Sequence, residues 1–297
     1  MRRLLALATV AGAAGLAYAA GYERTAFTLR RFRVPLLPTG HRPIRVLHLS
    51  DLHLTPGQRV KQHWVSSLAG IQPDLVVATG DLIAHPDAVA PLANALGGLL
   101  DRPGLFVRGS NDYFAPVVKN PARYLLPDDG RRSLDGPRLP TRDLDDRLVS
   151  AGWLDLDNAR VQMAVRDTVL DVVGTDDAHL EYDRYDAVAG RRAADADVML
   201  GVTHAPYARV LDAMVSDGAD MVLAGHTHGG QLCLPGGRAL VTNCDLDPAR
   251  ARGLSRHPID GETWLHVSAG LGTSPTAPVR FACRPEASLL TLVPAVG

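Results

Sequence analysis

The 297-residue sequence has few cysteines, little net charge and no excess of glycine or proline. The three cysteines, Cys233, Cys244 and Cys283, form no CxxC motif, so no disulfide scaffold is indicated. The glycine and proline counts, 28 and 21, exclude a collagen-like chain. A formal net charge of −1 argues against a basic nucleic-acid-binding protein. What remains is the balance of a folded globular protein, with 46% hydrophobic and 21% charged residues.

Long apolar runs are also missing, with one exception, and this excludes a multi-pass membrane protein. The exception is the uncharged run 4–22, whose length as a helix approaches the ~30 Å hydrocarbon core of a bilayer. Arg2 and Arg3 precede it, and Ala17-Tyr18-Ala19 resembles a signal-peptidase site. The sequence therefore predicts an N-terminal apolar helix. An uncleaved anchor is favoured over a removable signal peptide because the run exceeds a usual signal core, and its orientation is left open.

The small net charge conceals an uneven distribution. Residues 1–40 hold six arginines and one acid, a charge of +5, whereas the remainder holds 25 basic and 31 acidic residues, a charge of −6. A basic arm favours contact with a membrane surface, and an ordinary leader flank is the alternative. We expect two parts, an N-terminal segment 1–40 that associates with the membrane and one folded domain 41–297.

Apolar runs in this domain alternate with helical patterns. Strands are predicted at 45–50, 74–79 and 104–108, with helices at 61–70 and 87–100 between them. Further strands are predicted at 161–165, 168–173, 197–203, 220–224, 263–268 and 288–293. Strand–helix–strand alternation is typical of right-handed βαβ units, and it predicts an α/β fold with mostly parallel strands.

Aspartate and histidine residues, together with one asparagine, recur where these strands end. They are Asp51 and His53, Asp81, Asn111 and Asp112, His204, and His226 and His228. In open α/β sheets, ligands bind at the carboxyl ends of strands. Phosphate ester cleavage needs a nucleophile together with charge neutralisation, and two cations ~3.5–4 Å apart supply both through a bridging hydroxide. No single motif is specific for this chemistry, but the set is.

As a set, these motifs resemble those of the calcineurin-like metallophosphoesterase family, in particular its membrane-anchored or exported bacterial branch. The matching segments are Leu49-Ser-Asp-Leu-His53, Thr79-Gly-Asp81, Gly109-Ser-Asn-Asp112, Gly201-Val-Thr-His204 and Gly225-His-Thr-His-Gly-Gly230. The resemblance implies a four-layer α/β/β/α sandwich with a dinuclear centre of Mn, Fe or Zn, metals that mixed imidazole and carboxylate ligands suit. Asp51, His53 and His228 would bind one metal, His204 and His226 the other, and Asp81 would bridge the two.

One segment departs from the family pattern. The family has Gly-Asn-His-Asp or Gly-Asn-His-Glu, in which the Asn binds metal and the His helps to position or protonate the phosphate. Aligned without a gap, Ser110 takes the ligand position and Asn111 the position of the His. Shifted by one residue, Asn111 is the ligand and Asp112 replaces the His, and we favour this frame because it retains a carboxamide ligand. In either frame the His is missing, and general acid assistance typically contributes ~10²–10⁴-fold.

Two further histidines are weaker candidates for substrate contact, His85 beyond Asp81 and His179 beyond the strand at 168–173. The leading functional hypothesis is a phosphoesterase acting on a phosphodiester or a lipid-linked phosphate. The alternative is a membrane-tethered metal-binding protein whose catalysis is weak or lost. A nuclease is disfavoured because the acidic domain would repel a polyanion. The oligomeric state is left open.

Overall fold

A computed structural model describes residues 12–117, 136–273 and 277–295. The strands are β1 Thr28–Leu37, β2 Ile44–Leu49, β3 Leu75–Thr79, β4 Gly104–Val107, β5 Leu154–Asp155, β6 Arg160–Val165, β7 Thr168–Gly174, β8 Val198–Val202, β9 Met221–Ala224, β10 Gly253–His257, β11 Thr263–Val267 and β12 Glu286–Pro294. The α-helices are Arg59–Ser67, Val89–Leu96, Ser110–Tyr113, Thr141–Ser150 and Ala208–Ser216. Short 3₁₀ turns lie next to these helices at Leu68–Ile71, Pro86–Ala88 and Gly97–Leu99, and between strands at Tyr185–Ala187, His228–Gly230 and Pro248–Arg250.

The strands form two six-stranded sheets, in the orders β1-β12-β2-β3-β4-β5 and β10-β11-β9-β8-β7-β6. Strands β2 to β5 run parallel in the first sheet, and β7, β8, β9 and β11 run parallel in the second. Each predicted strand is present. The predicted mixed α/β fold with parallel strands is confirmed. Because there are two sheets, the loops that follow parallel strands come from two sets of strands.

Three apolar clusters account for how these elements pack. One combines residues of both sheets, for example Val77 of β3 with Leu200 of β8. A second joins the first sheet to the helices that follow β2, β3 and β4, for example Val76 with Leu92 and Leu144. The third joins the second sheet to the Ala208–Ser216 helix. The two sheets therefore share a core, and helices cover the opposite face of each.

The predicted boundary at residue 40 differs from the structure. Strand β1, Thr28–Leu37, lies at the edge of the first sheet and pairs in parallel with β12. Val34 and Leu37 of this strand are buried, whereas Arg31 and Arg33 are exposed. Charged residues and a proline are typical of edge strands because they prevent further pairing. Part of the basic segment assigned to the arm therefore belongs to the folded domain.

The segment before β1 is helical from residue 12, with a π-helical turn at Tyr18–Tyr22 and a 3₁₀ turn at Glu23–Thr25. Residues 4–11, the first part of the predicted apolar helix, lie outside the described residues. Among the residues that the structure does describe, no helix has both the length and the apolar character to cross a membrane.

Candidate metal centre

The predicted ligand residues lie in the loops that directly follow parallel strands of both sheets. Asp51 and His53 follow β2, and Asp81 follows β3. His204 follows β8, and both His226 and His228 follow β9. Contacts between loops of the two sheets bring them together: the His226 backbone N–H donates to the Asp51 carboxylate at 3.0 Å. The structure therefore joins the two sets of strand ends at one site.

The backbone of these loops is unusual. The φ angles of five predicted ligands lie in the left-handed region, at 48° for Asp51, 41° for His53, 52° for Asp81, 69° for His226 and 50° for His228. A non-glycine residue with positive φ is strained by ~1–3 kcal/mol, and such strain clusters at functional sites.

Asp51, His53, Asp81 and His228 form the tighter half of the site. One ligand atom from each lies within 4.8 Å of all the others, and all four residues are buried. His53 Nε2 lies 3.0 Å from His228 Nε2 and 3.3 Å from Asp81 Oδ2. His228 Nε2 lies 3.6 Å from Asp51 Oδ1. Two imidazole nitrogens and two carboxylate oxygens are a donor set that Mn, Fe and Zn all accept.

The electrostatics of this half suit a cation. Burial lowers the pKa of His53 to about 4 and holds that of His228 well below its ordinary value, so both rings are neutral and can offer a lone pair. Burial also raises the pKa of Asp51 to about 6, against the opposing charge of His204. A buried carboxylate that resists ionisation gains most from a divalent cation, so these residues fit the metal that the resemblance implies.

His204, His226 and Asn111 form the other half, which also adjoins Asp81. His226 Nδ1 lies 3.3 Å from His204 Nε2, which is 3.7 Å from Asp81 Oδ2. The Asn111 carboxamide Nδ2 donates to Asp81 Oδ2 at 2.8 Å, and the Asn111 backbone N–H donates to Oδ1 at 2.7 Å. Asp81 therefore contacts or approaches residues of both halves.

Backbone carbonyls orient the two histidines of this half. His204 Nδ1 lies 2.6 Å from the carbonyl oxygen of Thr79, and His226 Nε2 lies 3.1 Å from that of Asn243. Each bond assigns the proton to the nitrogen that faces the carbonyl and leaves the other nitrogen for a ligand. Burial opposes protonation of His204, but Asp81, Asp177 and Asp51 together raise its pKa to about 9. That excess of negative charge again favours a bound cation.

The altered segment after β4 separates into two environments. Ser110 and Asn111 line the cavity at the site. Asp112 is fully buried, its Oδ1 accepts from the N–H groups of Leu82 and Ile83 at 2.8 and 3.2 Å, and its Oδ2 accepts from the N–H of Gly109 at 3.0 Å. Both oxygens are occupied by the backbone, and Asp112 is not among the cavity-lining residues. The structure thus gives Asp112 a capping position rather than the substrate-facing position expected for an acid.

A cavity of about 130 Å³ opens over the two halves. Its lining combines predicted ligands with the apolar residues Phe114, Val117, Leu180 and Val241. His179 also lines the cavity. Its ring centroid lies 4.6 Å from that of His226, and its Nδ1 lies 3.1 Å from the Tyr207 hydroxyl.

His85, the other predicted substrate contact, lies apart from this cavity. It is the N-cap of the Pro86–Ala88 turn, where its Nδ1 accepts from the Asp87 N–H at 3.1 Å. Its side chain is 45% exposed and is not among the cavity-lining residues. Its short sequence distance from Asp81 suggested a substrate contact, but the turn places its side chain outside the cavity lining.

Two residues at the site, Arg280 and Asn243, carried no signal in the sequence. Arg280 is fully buried, and its guanidinium donates to the carbonyls of His228 and Gly272. Asn243 contributes only its backbone carbonyl to His226. A backbone contact leaves no trace in residue type, and an isolated arginine far along the chain matches no motif, so neither was predictable.

Comparisons with known proteins agree with the geometry. A family model described as calcineurin-like phosphoesterase matches residues 44–230. The phosphodiesterase YaeI of Escherichia coli is 26% identical over 96% of both chains. The uncharacterized metallophosphoesterase YkuE of Bacillus subtilis is 25% identical over 86% of this chain and 82% of its own. A transmembrane protein with metallophosphoesterase domain from Bos taurus is 27% identical over 75% of this chain and 48% of its own.

Proposed function

The chain belongs to the calcineurin-like phosphoesterase family and is therefore a metal-dependent hydrolase of phosphoric esters, and we propose that it cleaves phosphodiesters or lipid-linked phosphates at a dinuclear centre. The observation that carries the proposal is the position of Asp81. Its Oδ2 lies 3.3 Å from His53 Nε2 and 3.7 Å from His204 Nε2, one histidine from each half of the site. A carboxylate between two sets of imidazoles is what a bridging ligand requires.

Each half of the site would hold one divalent ion. Asp51, His53 and His228 would hold the first, Asn111, His204 and His226 the second, and Asp81 both. When bound, such a pair activates water as the nucleophile and neutralises the phosphoryl group. The protein's own contribution is to fix the ligands on strained loops after parallel strands, within the four-layer order of helices and sheets that the three core clusters support.

The cavity supports an ester with an apolar substituent. Phe114, Val117, Leu180 and Val241 face the same space as the ligand residues, so an apolar alcohol group of a bound diester would lie against them. His179 would contact the phosphoryl or leaving-group oxygen from the His226 side, because its ring packs near that of His226. This gives a histidine to a site whose Gly-Ser-Asn-Asp segment lacks one.

A second candidate function is a metal-binding protein with weak or lost catalysis. The observation in its favour is the capping position of Asp112, whose two oxygens accept backbone N–H groups. Asp112 therefore does not replace the histidine that the family has in this segment. The N-terminal segment before β1 would tether either form to a membrane. A reporter fused to the C-terminus tests this and identifies the side on which the domain lies.

The decisive experiment compares Asp81→Asn with wild type in the full-length protein loaded with Mn²⁺. We expect wild type to cleave bis(p-nitrophenyl) phosphate faster than p-nitrophenyl phosphate, because a diester carries one charge and a second apolar group. Asp81→Asn should abolish both activities and reduce bound manganese. Asp87→Asn is the matched control because Asp87 follows in the same loop and its side chain is 83% exposed.

Equal rates for Asp81→Asn and wild type would rule out the proposed centre. A faster reaction with the monoester would retain the centre and rule out the diester preference. Stoichiometric manganese binding without hydrolysis of either ester, or of a phospholipid, would favour the binding protein.

A further inference from the structure

Five buried polar side chains form a continuous hydrogen-bonded chain from the core between the sheets to Asp51. His266 Nδ1 lies 2.9 Å from His48 Nδ1, and His48 Nε2 lies 2.8 Å from the Thr79 hydroxyl. The Thr79 hydroxyl donates to the Ser50 hydroxyl at 2.7 Å, and Ser50 donates to Asp51 Oδ2 at 2.6 Å. All five residues are at most 1% exposed, so solvent does not compete with these bonds.

The carboxylate at one end fixes the direction of every proton in the chain. Because ionised Asp51 accepts only, Ser50 must donate to it and must itself accept from Thr79. Thr79 has then used its proton, so His48 must donate from Nε2. A neutral His48 that is protonated at Nε2 has a bare Nδ1, and His266 must donate to it from its own Nδ1.

The state of the two rings agrees with that direction. Burial, with a smaller contribution from His266, holds the pKa of His48 well below its ordinary value, and burial lowers the pKa of His266 to about 3. Both rings are therefore neutral. His266 Nε2 has no hydrogen-bond partner within the described ranges. Since His266 donates from Nδ1, its Nε2 carries no proton, and the hydrogen-bonded chain ends at this nitrogen.

We propose that His266, His48, Thr79 and Ser50 are positioning residues for the metal centre, acting through Asp51. The Ser50 hydroxyl donates to Asp51 Oδ2 alone, whereas the His226 backbone N–H contacts both carboxylate oxygens, at 3.0 and 3.1 Å. Asp51 Oδ1 lies 3.6 Å from His228 Nε2. The chain thus holds one carboxylate oxygen against the protein and directs the other towards the metal. This inference rests on the proposed function, in which Asp51 is a ligand.

An ordinary packing role does not explain the arrangement. Two histidines that face each other between two sheets lie where the neighbouring core positions hold aliphatic residues, among them Val46 and Leu223. Buried polar groups destabilise a core unless they are satisfied. A chain with a single direction, in which His266 Nε2 is the one unpaired atom among these five described side chains, and which ends on a predicted ligand has a use beyond packing, because partners behind a metal ligand commonly set metal affinity by ~10–100-fold.

The first test needs no mutation. Proton–nitrogen NMR correlations of the imidazole rings in the metal-free, full-length protein should show His48 protonated at Nε2 only and His266 at Nδ1 only at pH 8, where Asp51 is ionised. The opposite tautomers, or a cationic ring at either position, would overturn the proposed direction. This test still decides if the variants below fail to fold.

The second test compares three threonine variants by Mn²⁺ titration of the metal-free protein. Thr79→Val keeps the shape of the side chain but breaks the chain, and it should weaken one of the two manganese sites by about 10-fold or more while the other is unchanged. Thr79→Ser restores the hydroxyl and should rescue that site. Thr263→Val is the control, because Thr263 is also buried and donates to a backbone carbonyl, that of Ala219, at 2.7 Å.

A folded Thr79→Val variant with both wild-type affinities would overturn the proposal. His48→Gln provides an independent check, since glutamine can donate to Thr79 and accept from His266, and it should bind manganese more tightly than His48→Leu does. If wild type itself bound no second manganese ion, the dinuclear proposal would fail, whereas the tautomers would still report on the chain.

Discussion

Arg280 and His228 share one hydrogen-bond acceptor. Arg280 Nη2 donates to the carbonyl oxygen of Gly272 at 2.6 Å, and His228 Nδ1 lies 3.3 Å from the same oxygen. Arg280 Nη1 also donates to the carbonyl of His228 at 3.3 Å. Because Nδ1–H of His228 faces Gly272, the lone pair on Nε2 faces the predicted ligand cluster. Arg280 therefore holds both the backbone and the ring partner of His228.

Replacing Arg280 should weaken metal binding without a change at the ligands. We expect Arg280→Met to lower Mn²⁺ affinity by about 10–100-fold, the range typical of partners behind a metal ligand. The measurement is equilibrium dialysis at several metal concentrations, with circular dichroism to verify folding. Arg284→Met is the control, since Arg284 lies in the same loop and is exposed. If both variants bound manganese as wild type does, Arg280 would have no role in holding His228.

Lys61 predicts a dependence of stability on pH. Its ammonium is buried and donates to the carbonyl of Leu52, and burial, with repulsion from Arg280 and Arg24, lowers its pKa to about 7. The unfolded chain keeps this proton up to pH ~10.4. Between these values the unfolded state binds more protons, so the free energy of unfolding should rise with pH, by at most about 1.4 kcal/mol per pH unit.

Denaturation of the metal-free protein by urea at pH 7, 8 and 9 measures that slope. Other groups titrate in the same range, so the relevant quantity is the difference in slope between wild type and Lys61→Met. In this variant the free energy of unfolding should no longer show the part of the rise with pH that Lys61 causes. Arg59→Met, an exposed cation of the same helix, should keep it. A slope that is the same in all three proteins would show that Lys61 is not the source.

The strands and the main ligand residues were predictable because they depend on local patterns. An apolar run such as 74–79 indicates a buried strand, and the polar residues after such strands must meet where parallel strands end. Strand β1 was not predicted, because exposed arginines on an edge strand look like the basic flank of a leader. The pairing of β1 with β12 joins residues far apart in the chain, and no local pattern indicates such a partner.

The site shows the same limit. His48 and His266 each look like a core residue of its own strand, and only the packing of the two sheets places their rings in contact. The strained φ angles at Asp51 and His53 are likewise imposed by the fold, since the Asp51 and His53 N–H groups bond to the carbonyls of Gly80 and Asp81 in the next loop. Residue types indicated the chemistry, while tertiary contacts determine the orientation.

Asp112 should matter for stability. Its carboxylate accepts backbone N–H groups on both oxygens, and asparagine would place an NH₂ group against at least one of them. We expect Asp112→Asn to lower the free energy of unfolding by about 1–3 kcal/mol, the range for a buried donor left without its acceptor. Thermal and chemical denaturation of the metal-free protein measure this loss, and Asp146→Asn, an exposed acid of the Thr141–Ser150 helix, should leave stability unchanged. An unchanged midpoint for Asp112→Asn would contradict the capping role.

Asn111→His separates the two alignments of the altered segment and, with them, the two candidate functions. The Asn111 carboxamide contacts Asp81 at 2.8 Å, so we expect it to serve as a ligand and expect the histidine variant to lose about 10–100-fold in kcat/KM together with part of the bound manganese. Ser110→Asn is the comparison, because it supplies a second carboxamide one residue earlier and should leave manganese binding intact. A large gain in rate for Asn111→His would instead place Asn111 at the position of the family's histidine. In that case Ser110 would occupy the ligand position, and the natural protein would be a metal binder whose catalysis had weakened.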